Sequence, residues 1–125
     1  MLSCQNKNNK TEPSDETAPP KVEFESKIHD FGTILYGQVV EYSFKFKNIG
    51  GKPLKIISVE ADCGCTVPKY EKKNIKKGEE GKISITFDTE HFRNNQYKTI
   101  KVKTNDNQET KLIITAFIKS EEQLK

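Results

Sequence analysis

The chain is 125 residues long, which leaves room for one domain. An apolar share of 33% beside a charged share of 31% calls for a thin core, which two β-layers supply better than a helical bundle. The net charge of +3 is spread over lysines and glutamates, with Arg93 the single arginine; this argues against a phosphate-reading surface, and no nucleic-acid partner is expected.

In chain order, Leu2-Ser3-Cys4 matches the last three residues of a bacterial lipobox, in which the cysteine carries the lipid. Residues 5–20 hold no aromatic side chain and no Leu, Ile or Val, so they cannot bury enough apolar area to order themselves. A flexible tether of this kind reaches ~20–25 Å. The competing description is a cytosolic tail with an incidental cysteine. No apolar run approaches the ~18–20 residues that span a bilayer, so membrane contact is expected through a lipid anchor on Cys4. The expected organisation is a disordered tether over residues 1–20, a folded domain over 21–120 and a tail over 121–125.

From Lys21 the pattern becomes that of strands. Val22 and Phe24 alternate with charge, and Ile28 and Phe31 follow before Gly32, which predicts a first strand that is kinked or split. Residues 40–48 form the clearest strand, with Tyr42, Phe44 and Phe46 on one face and Glu41, Ser43, Lys45 and Lys47 on the other. Asn48-Ile49-Gly50-Gly51 reads as a turn, because Asn and Gly tolerate positive φ. In residues 54–61 the apolar phase shifts from Leu54 and Ile56 to Ile57 and Val59, implying a bulge or a strand buried on both faces.

Residues 66–70 form a short segment that Pro68 confines to a sheet edge. Lys76 to Gly81 reads as a turn with two glycines. Ile83, Ile85 and Phe87 then alternate with Lys82, Ser84 and Thr86. Residues 89–95 are predicted as a loop. A strand with Ile100 and Val102 inward follows, then the Asn105-Asp106-Asn107 turn, then a last strand lined by Leu112, Ile114, Ala116 and Ile118. About seven short strands with Gly/Asn turns predict an all-β, immunoglobulin-like β-sandwich, with a small barrel as the competing closure. Lys45, Lys47, Lys98, Lys101 and Lys103 fall on outward positions, where they are expected to solvate the wet face and block edge-to-edge pairing.

Several segments carry a family pattern: Phe31-Gly32-Thr33-Ile34, Tyr42 through Gly50, Pro53-Leu54, Cys63-Gly64-Cys65-Thr66, Gly78-Glu79 and Lys98-Thr99-Ile100. Together they resemble the bacterial DUF1573 family over about residues 22 to 119, with Cys-Gly-Cys-Thr as the most specific element. The resemblance implies an ASH-like branch of the immunoglobulin-like sandwiches, frequent in Bacteroidetes lipoproteins and secreted proteins. It implies an envelope location and a binding or structural role, with no established activity. Two positions depart from the family's pattern: Lys77 stands where proline is usual and Asn95 where glycine is usual. Both are expected in loops.

Cys63 and Cys65, one residue apart, are the main candidate site. On an extended strand their Cα atoms would sit at ~6.5–7 Å, the upper limit for a disulfide, unless Gly64 bends the backbone. Three descriptions stay open: small half-buried structural residues, a redox pair, or a soft-metal site for Cu(I) or zinc that would need His29 or His91 from elsewhere. Asp62 stands next to Cys63 and no lysine precedes it, which counts against a reactive thiolate. His91-Phe92-Arg93 is a candidate binding loop, against which stands a Phe92 folded back on the sandwich end and isolated surface histidines at 29 and 91.

No Gly-rich phosphate loop, paired-carboxylate set or Ser/His/Asp arrangement is present, so no catalytic residue, cofactor or small-molecule substrate is expected. The sequence predicts a non-enzymatic envelope lipoprotein with a protein partner. The alternative is a periplasmic thiol-redox or copper-handling protein using Cys63 and Cys65.

Overall fold

The computed structural model describes residues 17–120, and among these there is no helix. Eight strands build two four-stranded sheets: β1 (Val22–Phe24), β2 (Ile28–Leu35), β3 (Val39–Asn48), β4 (Ile56–Ala61), β5 (Thr66–Tyr70), β6 (Glu80–Asp88), β7 (Asn94–Thr104) and β8 (Glu109–Lys119). One sheet runs β1-β3-β6-β5 and the other β2-β8-β7-β4. Every pairing is antiparallel except β2 with β8. The two sheets form an immunoglobulin-like sandwich. The strand count rises from about seven to eight because the first strand is split between sheets. Val22–Phe24 pairs with β3, and after residues 25–27 the chain joins β8 as β2.

The core follows from alternation. Phe44, Ile83, Ile85, Phe87, Ile100, Val102, Leu112, Ile114 and Ile118 point inward from the central strands and are almost wholly buried. Leu54 joins them without being part of β4. It makes a two-bond bridge with Ile75, each amide donating to the other's carbonyl at 2.8 Å. The phase shift predicted for this stretch is a bulge at Ile57, which interrupts the register between Ile56 and Ser58 and leaves Ile57 exposed.

Three local expectations are corrected. None of Asn48, Ile49, Gly50 and Gly51 adopts positive φ. Asn48 is instead fully buried. Its Nδ2 donates to the carbonyls of Lys52 (2.8 Å) and Ile75 (2.9 Å), while its Oδ1 accepts from the amides of Gly50 (2.9 Å) and Lys21 (3.2 Å). Gly50 is required by close approach, since a Cβ there would lie 2.1 Å from the Pro19 carbonyl oxygen. That contact also places residues 18–20 in the folded body rather than in a tether: Lys52 N–H donates to Ala18 O (2.9 Å) and Gly51 N–H to Pro19 O (3.2 Å). Asn95 lies inside β7, paired with Phe117, while Lys77 is in a turn as expected.

Two of the four edge strands, β2 and β5, are guarded, but not by the lysines named above. Lys45 and Lys47 belong to β3, and Lys98, Lys101 and Lys103 to β7, which are interior strands. On edge strand β2, side chains take the backbone amides: Ser26 Oγ accepts from Ile28 N–H (3.4 Å), Asp30 Oδ1 from Gly32 N–H (3.0 Å) and Gln38 Oε1 from Leu35 N–H (3.0 Å). A bulge between Asp30 and Thr33, where Gly32 has φ 75°, interrupts that edge further. On edge strand β5, Asp88 N–H donates to Cys65 O, so Thr66 and Pro68 occupy non-hydrogen-bonded pairs that face outward. Thr66 N–H is taken by Cys63 O and Pro68 has no N–H, which leaves Tyr70 as the outward amide.

His29 is not an isolated surface residue. It projects between the sheets and stacks on Tyr42 with ring centroids 3.6 Å apart and planes 9° from parallel, while Phe31 meets it edge-on at 4.7 Å.

Candidate functional site

The end of β4 is fixed by Asp62. Its amide donates to Thr99 O (3.0 Å) and its Oδ2 accepts from Thr99 N–H (3.2 Å), so the β4–β7 ladder stops there. The chain must then cross to the edge of the other sheet, and Cys63-Gly64-Cys65 makes the crossing as a turn. Thr66 holds the turn closed by donating both its amide (3.2 Å) and its Oγ1 (3.0 Å) to the Cys63 carbonyl. Asp88 N–H donates to Cys65 O (2.9 Å) and opens the β5–β6 ladder.

The turn replaces the extended geometry assumed from the spacing. The Cα atoms of Cys63 and Cys65 stand 5.2 Å apart, and the two sulfurs are joined as a disulfide. Both residues are half-buried, and Cys65 N–H donates to Cys63 Sγ at 3.2 Å. Gly64 has neither a positive φ nor a neighbour within 4 Å of where a Cβ would stand, so the fold itself does not require glycine there. Joined sulfurs offer no thiolate to a soft cation. Among the described residues no group of three or more His, Cys, Asp and Glu could hold a metal.

The loop after β6 folds over the same end of the sandwich. Thr89 is fully buried and donates its Oγ1 (2.7 Å) and its amide (3.1 Å) to Gln38 O. His91 takes the left-handed conformation (φ 79°) and is exposed. Phe92 turns inward against Phe87, with ring centroids 5.9 Å apart, and Lys98 Nζ lies 4.2 Å from its ring centre. Phe92 is therefore folded back on the sandwich end, the description set against an exposed contact point above. Arg93 leans the other way, its guanidinium 5.2 Å above the Tyr36 ring.

The fold joins what the sequence presented as two separate candidates. Cys63, Gly64 and Cys65 share a depression of about 470 Å³ with His91 and Phe92, whereas Arg93 does not line it. Asp88 and Glu90 line the same depression. Its apolar floor includes Val39 and Val67, which are 58% and 54% exposed. These two valines were missed. The available signal was their phase: each sits on the outward side of a strand whose other outward positions are polar. Cys4 and residues 1–16 of the expected tether lie outside the described residues.

The sequence profile of the DUF1573 family, described as a protein of unknown function, matches residues 22–118. No curated protein matches the chain. Among solved structures, a protein of unknown function from Porphyromonas gingivalis W83 superposes with a TM-score of 0.67 at 19% identity, over 89% of this chain and 51% of that one. The chain thus spans about half the length of that protein. The ASH / PapD-like domain of human CEP192 (PapD-like domain 7) gives a TM-score of 0.67 at 14% identity, over 96% of each chain. The VesB protease of Vibrio cholerae gives 0.59 at 13% identity, over 83% of this chain and 33% of that protein. At these identities the likeness shows the fold alone.

Proposed function

The chain belongs to the DUF1573 family, and from that membership and the geometry above we propose that it is a non-enzymatic protein-binding module of the bacterial cell envelope, held at the membrane by a lipid on Cys4. The depression beside the Cys63–Cys65 turn carries this reading. It pairs two exposed valines with a disulfide and charged rim groups, and an apolar centre with a polar rim is the composition of a protein contact. The guarded edges of β2 and β5 favour a loop-end contact over addition of a strand at those two edges.

The test places a photo-crosslinking residue at Val67 or, as a control on the outer face of the other sheet, at Lys101 in the native host. A discrete adduct from position 67 that Val39→Asp abolishes is expected, with none from position 101. Equal adducts from both positions, or none from either, would end the binding claim. The anchor is tested separately by labelled palmitate. Incorporation that Cys4→Ser removes is expected, and a fully aqueous, unlabelled protein expressed with its native upstream region ends that claim.

A further inference from the structure

We propose that the Cys63–Cys65 disulfide is a thiol–disulfide exchange site for a cysteine borne on a neutral or cationic protein segment, with Cys63 as the sulfur released. Three observations converge on it. The half-buried bridge lines an open depression, with Cys65 also packed against the edge of the core, and Gly64, which lines the depression too, adds no side chain. The turn is already held by backbone bonds that do not involve sulfur, from Thr66 to Cys63 O and from Asp88 to Cys65 O. Opening the bridge therefore leaves its scaffold standing, so a staple is not what it supplies. Finally, the Cys65 amide points at Cys63 Sγ from 3.2 Å, a donor placed to stabilise negative charge on that sulfur.

The exchange balances as follows. An incoming thiolate attacks Cys65 Sγ, forming a mixed disulfide as the Cys63–Cys65 bond breaks and its electron pair goes to Cys63 as thiolate. A second thiolate on the same partner attacks the partner sulfur of that mixed disulfide and releases Cys65. The partner leaves oxidised by two electrons, and the two cysteines, taking protons from water, remain as a dithiol.

Charge sets the partner's class. Asp88 and Glu90 line the depression, whereas the Asp62 carboxylate is taken up by Thr99 N–H on β7, so an anionic thiol is repelled and a lysine-flanked cysteine is drawn in.

The probe is a cysteine peptide flanked by lysines, compared with the same peptide flanked by glutamates. Each reacts with the oxidised full chain carrying Cys4→Ser, with circular dichroism confirming the fold. The expected result is a mixed disulfide mapped to Cys65, formed about tenfold faster with the lysine peptide at low salt and nearing parity at ~1 M, where screening acts over ~3 Å. Asp88→Asn with Glu90→Gln should flatten the preference. The asparagine keeps the oxygen that accepts from Glu90 N–H, so the loop survives the change. No adduct in the folded protein, an adduct on Cys63, or equal rates for the two peptides at low salt overturns the proposal. The exchange site shares its depression with the binding reading, but the two tests fail separately: the peptides need no natural partner, and crosslinking from Val67 can succeed or fail whatever the sulfurs do.

Discussion

The ring of Phe46 occupies the place where a side chain on Gly81 would begin. A Cβ on Gly81 would stand 2.6 Å from the Phe46 ring, and the two residues face each other directly across the β3–β6 ladder. Phe46 is 3% exposed and packs on Phe24 with centroids 5.4 Å apart, so its ring has little room to retreat.

Gly81→Ala should therefore destabilise the domain by about 1–3 kcal/mol, the usual cost of overpacking, despite the entropy that alanine removes from the unfolded chain. Urea unfolding of the single variant and of Gly81→Ala with Phe46→Leu measures it. The smaller side chain should recover most of the loss. Costs that simply add in the double variant would mean the ring is not the obstacle.

Asn48 is the buried polar hub that ties residues 21, 50, 52 and 75 together. Asn48→Ala strands the Lys21 and Gly50 amides and the Lys52 carbonyl, while Ile75 O keeps the Leu54 amide, and should cost about 3 kcal/mol, with a fall in Tm of more than about 10 °C. Asn105→Ala is the control. Its side chain also bonds two backbone groups, Lys55 N–H and Pro53 O, but at an exposed site where water replaces it, so less than ~1 kcal/mol is expected. Similar losses for the two variants would remove the hub from the account.

Asp30 gives the acid limb of stability a defined contributor. The Gly32 amide and then the Thr115 hydroxyl hold its carboxyl below the ordinary value. A carboxylate depressed by folding adds stability that is present above its unfolded pKa and lost as pH falls through its folded one. Asp30→Asn should thus trail the parent at neutral pH and draw level with it in acid. The readout is the urea midpoint measured across that range. Midpoint curves that run parallel would show that this carboxyl contributes nothing. Its full exposure keeps the effect small.

Removing the disulfide should change little. The three-residue loop it closes is worth ~1.5 kcal/mol of chain entropy. Cys63→Ser with Cys65→Ser should keep the β-sheet spectrum and lose no more than that in a denaturant titration. A variant that fails to fold would make the bridge structural and weaken the case for exchange.

Much of the sandwich is legible in the chain because strand phase is local. Alternation on β3, β6 and β8 assigns Phe44, Ile85 and Ile114 inward without knowledge of any neighbour. Glycine was less legible, since its two uses look alike in a sequence. Gly50 and Gly81 both read as turn residues, whereas close approach to Pro19 and to Phe46 is what excludes a side chain at each. The lysines show the same limit. Lys45, Lys47, Lys101 and Lys103 do point outward, but Lys98 shares the inward phase of Ile100 and Val102 and reaches Phe92, and whether β3 and β7 lie at an edge depends on which strands sit beside them.

The amino-acid order alone determined two β-layers, their inward residues and a pair of sulfurs between two strands, because burial with period two is set by each strand's own pleat. The tertiary structure decided that the first strand divides between sheets. It also bent the cysteine segment into a turn, and it brought His91 and Phe92 to the Cys63–Cys65 depression. Thr66 closes the cysteine turn locally. The Asp62–Thr99 and Asp88–Cys65 bonds that set its two ends, like the other outcomes, join residues far apart along the chain, and no local spacing encodes which distant segment will close on another.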